Sequence, residues 1–156
     1  MRHAKAAPHN TAPTDYEREL TQRGQADAHE MGTRLREKKP HIQAIIASPA
    51  ERTRQTAELV ARAMQLDLNI IRYNADIYEA STSSLARIVS EINDSYDKVM
   101  LVGHNPTFTD MMEYYTSKQI DNLPTAGIYL IEFETNTWKE AAKQTGSLIW
   151  ADWPKA

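Results

Sequence analysis

The chain has 156 residues, 41% of them apolar and 25% charged, and carries a formal net charge of −3; these are ordinary values for one globular domain. It contains no cysteine, which excludes a disulfide framework, thiolate metal sites and a cysteine nucleophile. No segment approaches the roughly 20 apolar residues of a membrane span, no signal-peptide pattern opens the chain, and the acidic balance argues against nonspecific nucleic-acid binding.

A polar opening covers residues 6–19, after which Thr21 is placed to cap a helix reaching about Lys38, with Ala26, Met31 and Leu35 among its core-facing positions and Pro40 as its stop. Residues 42–47 (IQAIIA) form a short apolar run between two prolines, the pattern of a strand buried on both faces. A helix over residues 51–64 follows at once, its stripe made by Ala57, Val60, Ala61 and Met64, and residues 68–72 (LNIIR) read as the next strand. Further on come a helix over residues 85–92, a strand at 98–102 (KVMLV), a helix at 107–115, a strand at 128–133 (IYLIEF) and a last strand at 147–152. Strand and helix alternate without a repeat or linker, so a single domain spanning residues 1–156 is expected, with a mainly parallel sheet covered on both sides. Met111, Met112, Tyr114 and Tyr115, and likewise Trp138, Trp150 and Trp153, are read as packing residues.

The two most apolar strands end alike: one runs into Ser48-Pro49 and the other into His104-Asn105-Pro106. Ser48 and Asn105 are preferred N-cap types, each proline suits the first helical position, and Glu51 completes a Ser-x-x-Glu capping box. Two helix N-termini are thereby expected at carboxyl ends of parallel strands, where open α/β sheets bind ligands and where unpaired N–H groups suit a phosphate. Arg52 falls in the first turn of one helix, a position where a cation calls for a compensating anion. Charge is also uneven: residues 1–62 carry 11 Lys/Arg against 8 Asp/Glu, and residues 63–156 carry 7 against 13. Arg2, His3 and Lys5 add three potentially cationic groups at the start of the basic half.

Four motifs occur in one order: Arg2-His3-Ala4-Lys5, Leu20-Thr21-x-x-Gly24, Ser48-Pro49-x-x-Arg52-x-x-Gln55-Thr56-Ala57, and Val102-Gly103-His104-Asn105-Pro106. In this order, and with Tyr78-Glu79-Ala80-Ser81 between the last two, the chain resembles the histidine phosphatase superfamily from residue 2 to Pro154-Lys155, and most of all its small bacterial SixA-type phosphohistidine phosphatases. The resemblance implies a phosphoglycerate mutase-like three-layer α/β/α sandwich. It implies that His3 attacks phosphorus to form a phosphohistidine intermediate, that Arg2 and Arg52 hold the phosphoryl oxygens, and that His104 donates to the same oxygens, protonated or hydrogen-bonded at Nδ1 in the complex. This fits the chemistry: phosphoryl transfer needs an aligned nucleophile and cations around three oxygens, and the planar arginine fork matches them where a lysine is only a point charge.

Glu79 stands at about the family's carboxylate position and is the candidate general acid, although a departing imidazole depends on an acid less than an alkoxide does. Arg18, Ser48, Asn105 and Lys5 are further candidates for contact with the phosphate or its carrier. Metal dependence is not expected, since no His-x-His or His-Glu-x-x-His pattern occurs and paired arginines repel a cation; no cofactor is expected either. From Arg52 to His104 only residues 73–82 remain as free loop, too few for a lid, so the site is expected to be open to a protein side chain. The resulting expectation is a cytoplasmic phosphohistidine phosphatase acting on a phosphotransfer protein, with neither nucleic acid nor membrane as partner and the oligomeric state open. A small-molecule phosphomonoesterase or mutase on the same residues, and a noncatalytic phosphate-binding adaptor, are the alternatives. One departure from the family pattern is that only Met1 precedes the Arg-His motif, so the first strand looks truncated; with nothing upstream, His3 is expected to hang on a mobile end.

Overall fold

A computed structural model describes residues 1–155. Helix α1 (Gln22–Lys38) begins as the sequence indicates, with the Thr21 hydroxyl accepting from the Gly24 N–H, and it ends at Lys39 in the left-handed region ahead of Pro40. The other elements in chain order are β1 (Ala44–Ala47), α2 (Glu51–Ala63), β2 (Ile71–Tyr73), α3 (Thr82–Ser90), β3 (Val99–Val102), α4 (Thr107–Thr116), β4 (Ile128–Phe133) and β5 (Gly146–Asp152). Strands β2, β1 and β3 lie side by side in that order and parallel, while β4 and β5 form an antiparallel pair.

The period-2 alternation of the strands sorts the core into two layers. Ile45, Ala47, Met100 and Val102 face one cluster with Ala28, Met31 and Leu35 of α1 and Ala57, Val60 and Ala61 of α2. Ile46, Val99 and Leu101 face the other, with Leu85, Ile88 and Val89 of α3 and Phe108, Met111 and Tyr115 of α4. The result is the three-layer α/β/α sandwich expected from the strand-helix alternation, and a fully buried side chain such as Ile45 contributes about 2–3 kcal/mol to it.

Residues 1–3 join the two sheet halves. Arg2 bridges Gly103 in parallel, the Arg2 N–H donates to the Gly127 carbonyl at 2.9 Å, and the Gly103 N–H donates to the Met1 carbonyl at 3.1 Å. The expected mobile end is therefore corrected: even this short stretch is laced to a neighbour on each side. Beyond Met1, β3 and β4 do not pair, and an apolar groove of about 130 Å³ lies there between Val99, Leu101, Leu130 and Ile131.

Several local expectations change. Ala26 is exposed, and Ala28 takes the core position instead. The strand expected at residues 68–72 is only Ile71–Tyr73, because Asp67 accepts from the Asn69 N–H and winds Leu68–Ile70 into a 3-10 turn. Trp153 is exposed, whereas Trp150 packs against the core and the Trp138 indole donates to the Tyr96 carbonyl. Neither Ser48 nor Asn105 caps a helix: α2 starts after Ala50 and α4 after Pro106, without a side-chain cap in either case. Glu51 bonds Gln55 rather than closing a capping box. No helix among the described residues is long and apolar enough to cross a membrane.

Candidate active site

His3 sits in the middle of the sheet, 9% exposed. Its N–H donates to the Gly103 carbonyl and its carbonyl accepts from the Ala126 N–H, both at 3.0 Å. The next residue, Ala4, donates its N–H to the Thr56 hydroxyl (3.0 Å), which itself donates to the Arg52 carbonyl (2.7 Å), so one hydroxyl ties this segment to α2. The His3 ring Nδ1 lies 2.7 Å from the Ala4 carbonyl oxygen. A carbonyl only accepts, so Nδ1 carries the proton and Nε2 keeps its lone pair. Burial pushes the imidazole down to about 4; the hydrogen bond to Ala4 opposes this, and the charges of Arg52, Arg2 and Arg18 add to it. His3 is thus a neutral base at neutral pH.

His104 lies beside it, with ring centroids 5.4 Å apart. Its Nε2 is 2.8 Å from the Ser48 hydroxyl oxygen. That oxygen also accepts from the Ala50 N–H, and a hydroxyl that donates to Nε2 leaves the His104 proton on Nδ1. Nδ1 is buried without a partner. Within the chain the bonded nitrogen is Nε2, which leaves Nδ1 free for a complex, and Ser48 acts as the holder of His104 rather than as a helix cap. Burial, with the charge of Arg52 next, brings His104 down to about 3.

Two arginines flank the imidazoles. Arg52 is buried; its Nη1 donates to the Asp15 carbonyl at 2.7 Å and its Nη2 to the Asp15 carboxylate at 3.0 Å, while Nε has no partner. Arg2 donates through Nη1 to the Leu123 carbonyl at 2.9 Å, and its Nε is likewise buried and unpartnered. Arg18 is joined to the same group through Asp15, at 2.8 Å, and also holds the Ala7 carbonyl.

The structure thereby brings together His3, His104, Arg2, Arg52, Arg18 and Ser48. Asn105 instead shapes the adjoining loop, donating to Asn122 and the Leu123 carbonyl and accepting from Thr109. Lys5 contributes its carbonyl to Thr21, and its side chain is exposed. Glu79 is exposed in the left-handed region and makes no side-chain hydrogen bond or ion pair among the described residues. The group that faces the site from that turn is its neighbour Tyr78, whose hydroxyl donates to Asp15 at 2.6 Å and whose ring meets His104 edge-on. Asp15, Tyr78 and Thr56 were not among the sequence candidates. The available signals were the Asp15–Arg18 spacing and the place of Tyr78 beside Glu79. Among the described residues no cluster of three or more His, Asp or Glu is arranged to hold a metal ion.

Comparison with known proteins agrees with this geometry. The family described as Histidine phosphatase superfamily (branch 1) matches residues 1–73, the stretch that carries His3, Arg18 and Arg52. The crystal structure of a SixA protein from Agrobacterium tumefaciens superposes with a TM-score of 0.83 at 26% identity, covering 99% of this chain and 95% of that one. Over residues 1–73 the chain matches the histidine phosphatase superfamily, and over nearly its whole length it shares the fold of that SixA protein. The structure of the protein histidine phosphatase SixA complexed with tungstate shares the superfamily fold at a TM-score of 0.84, with 20% identity over 98% of this chain and 94% of that one. An uncharacterized protein of Mycobacterium leprae (strain TN) is 26% identical over 161 residues, 96% of each chain. The likeness to this superfamily and to the SixA structure marks the chain as a phosphatase.

Proposed function

We propose that this phosphatase removes phosphate from phosphohistidine on a partner protein, through a covalent intermediate on His3. The observation that carries the reading is the His3 imidazole: buried, neutral, protonated on Nδ1 by the Ala4 contact, and so left with a bare Nε2 beside Arg52, Arg2 and the unpartnered Nδ1 of His104. The Nε2 lone pair attacks phosphorus as the phosphorus–nitrogen bond of the substrate breaks, and the substrate imidazole leaves with a proton from solvent. The guanidinium groups and the His104 Nδ1–H receive charge on the three equatorial oxygens. Water then attacks the phosphorylated His3, releasing inorganic phosphate and restoring the imidazole.

A protein substrate is supported by the shape of the surroundings. The connection between β2 and α3 is short and folded into the Ala75–Ile77 turn, and Tyr16, packed edge-on against Tyr78, stands 40% exposed at the rim. Exposed aromatic groups of this kind suit contact with another protein surface. Rapid quench with a radiolabelled phosphohistidine-bearing domain should trap phosphate on His3, and His3→Ala should abolish both the adduct and turnover. Preferential hydrolysis of small phosphomonoesters overturns the substrate assignment; absence of any phosphorylated enzyme overturns the mechanism and leaves a noncatalytic adaptor.

A further inference from the structure

Resting on the reading of Arg52 as a phosphoryl-gripping residue, we propose that Asp15 is the positioning residue of the site. It holds the end of the Arg52 guanidinium so that the Nε edge is presented to the phosphoryl group. A guanidinium has five N–H bonds in one plane. Asp15 takes one from Nη1 with its carbonyl oxygen and one from Nη2 with its carboxylate. What remains is the side edge, Nε–H with the second Nη2–H, a parallel pair that matches two phosphoryl oxygens. Nε is the very atom left buried and unpartnered, and Arg52 is the charge that acts most strongly on both His3 and His104.

The same carboxylate orders the rest of the site. One oxygen accepts from Arg18 (Nε 3.0 Å, Nη2 2.8 Å), with His9 Nδ1 at 3.5 Å; the other accepts from the Tyr78 hydroxyl, whose ring packs against His104. Asp15 therefore connects the cationic wall to the second histidine. Burial acts to raise the carboxyl, but the hydrogen bonds from Tyr78, Arg18 and Arg52 outweigh it and hold the group well below the usual carboxylate range. It is a fixed acceptor, not a proton donor. Its place on the three-residue turn Asp15–Glu17, outside the two cores, means that replacing it does not open a cavity.

The test is a double-mutant cycle with Asp15→Asn and Arg52→Lys, read with phosphoramidate as a small phosphorus–nitrogen donor and with inorganic phosphate as the binding probe. Asp15→Asn should lower kcat/KM about 30-fold, the order expected for losing charge-assisted hydrogen bonds, and weaken phosphate binding about fivefold. In the Arg52→Lys background, which has no fork to orient, both effects should shrink below about twofold. Equal losses in the two backgrounds overturn the proposal, because Asp15 would then act by a route that does not pass through Arg52. Tighter phosphate binding by Asp15→Asn overturns it too, making Asp15 a resident anion that competes with substrate. Disappearance of one limb of the pH profile would make it a proton donor and is equally fatal. Phosphate binding is independent of turnover, so an enzyme that binds phosphate but forms no adduct on His3 sinks the proposed function while this cycle still reports on Asp15.

Discussion

Lowering the pH exposes the environment of His3 directly. An ordinary histidine, with a value near 6.5, is about nine-tenths protonated at pH 5.5. Held at about 4 by burial and by three arginines, the His3 imidazole stays about 97% neutral there. The sign of the stability effect follows: the unfolded chain binds the proton first, so the contribution of His3 is complete above pH 6.5 and is lost as the pH falls toward 4. At pH 4.5 the loss from His3 alone is about 2.5 kcal/mol, and His104, lowered further, acts in the same direction. Long-range 15N-1H spectra of the histidine side chains give the first quantity, with His3 assigned through His3→Gln, and urea unfolding at pH 7.0 and 4.5 gives the second. His3 should show the Nδ1–H tautomer with no inflection between pH 5.5 and 8. A midpoint near 6.5, or the Nε2–H tautomer, refutes the reasoning, because the ring would then be solvated or turned away from Ala4.

Three substitutions probe the support of the site. Thr56→Val conserves shape but leaves the buried Ala4 N–H unpaired, so urea unfolding should show a loss of about 1–3 kcal/mol together with reduced turnover; a neutral result means that the strut is idle. Gly24→Ala puts a methyl group 2.1 Å from the Lys5 carbonyl oxygen, a backbone atom that cannot step aside cheaply, and should lower stability by about 2–3 kcal/mol in the same assay. Glu79→Gln should change kcat/KM by less than about twofold, since the side chain is exposed and unpartnered; a loss of about a hundredfold would restore it as the general acid.

What the sequence made legible follows from which interactions are local. Periodicity located α1, α2 and α4 and the buried strands, because burial on two faces leaves an uninterrupted apolar run such as Ile45-Ile46-Ala47. Thr21 was readable as a cap because its partner, the Gly24 N–H, is three residues away. Ser48 and Asn105 satisfy the same local rule yet cap no helix: their oxygens meet the Ala50 N–H and the Thr109 hydroxyl, and each side chain also has a distant partner, His104 56 positions from Ser48 and Leu123 18 from Asn105. Tertiary contacts engage the hydroxyl and the carboxamide, as they do Asp15, whose contacts to Arg52 and Tyr78 span 37 and 63 positions. The fixing of His3 was invisible for a related reason. Its order comes from main-chain bonds to Gly103 and Ala126, which no side-chain pattern announces.

The candidate site also reverses the usual economy of a protein interior, where buried polar groups find partners. Among the described residues, the buried side-chain nitrogens without one are Arg2 Nε, Arg52 Nε and His104 Nδ1. Each unmet donor costs about 1–3 kcal/mol, and all three belong to residues grouped around His3. One further buried side-chain atom without a partner, the Tyr115 hydroxyl, lies in the other core layer; the three nitrogens instead converge on one imidazole whose own free nitrogen is an acceptor. A phosphoryl group fits that pattern in both respects, with electron-rich oxygens for the three donors and an electrophilic phosphorus for the lone pair. The sheet supplies the stiffness that keeps these donors from turning to one another. Burial, by keeping both histidines neutral, ensures that the nucleophile is not masked by a proton before the substrate arrives.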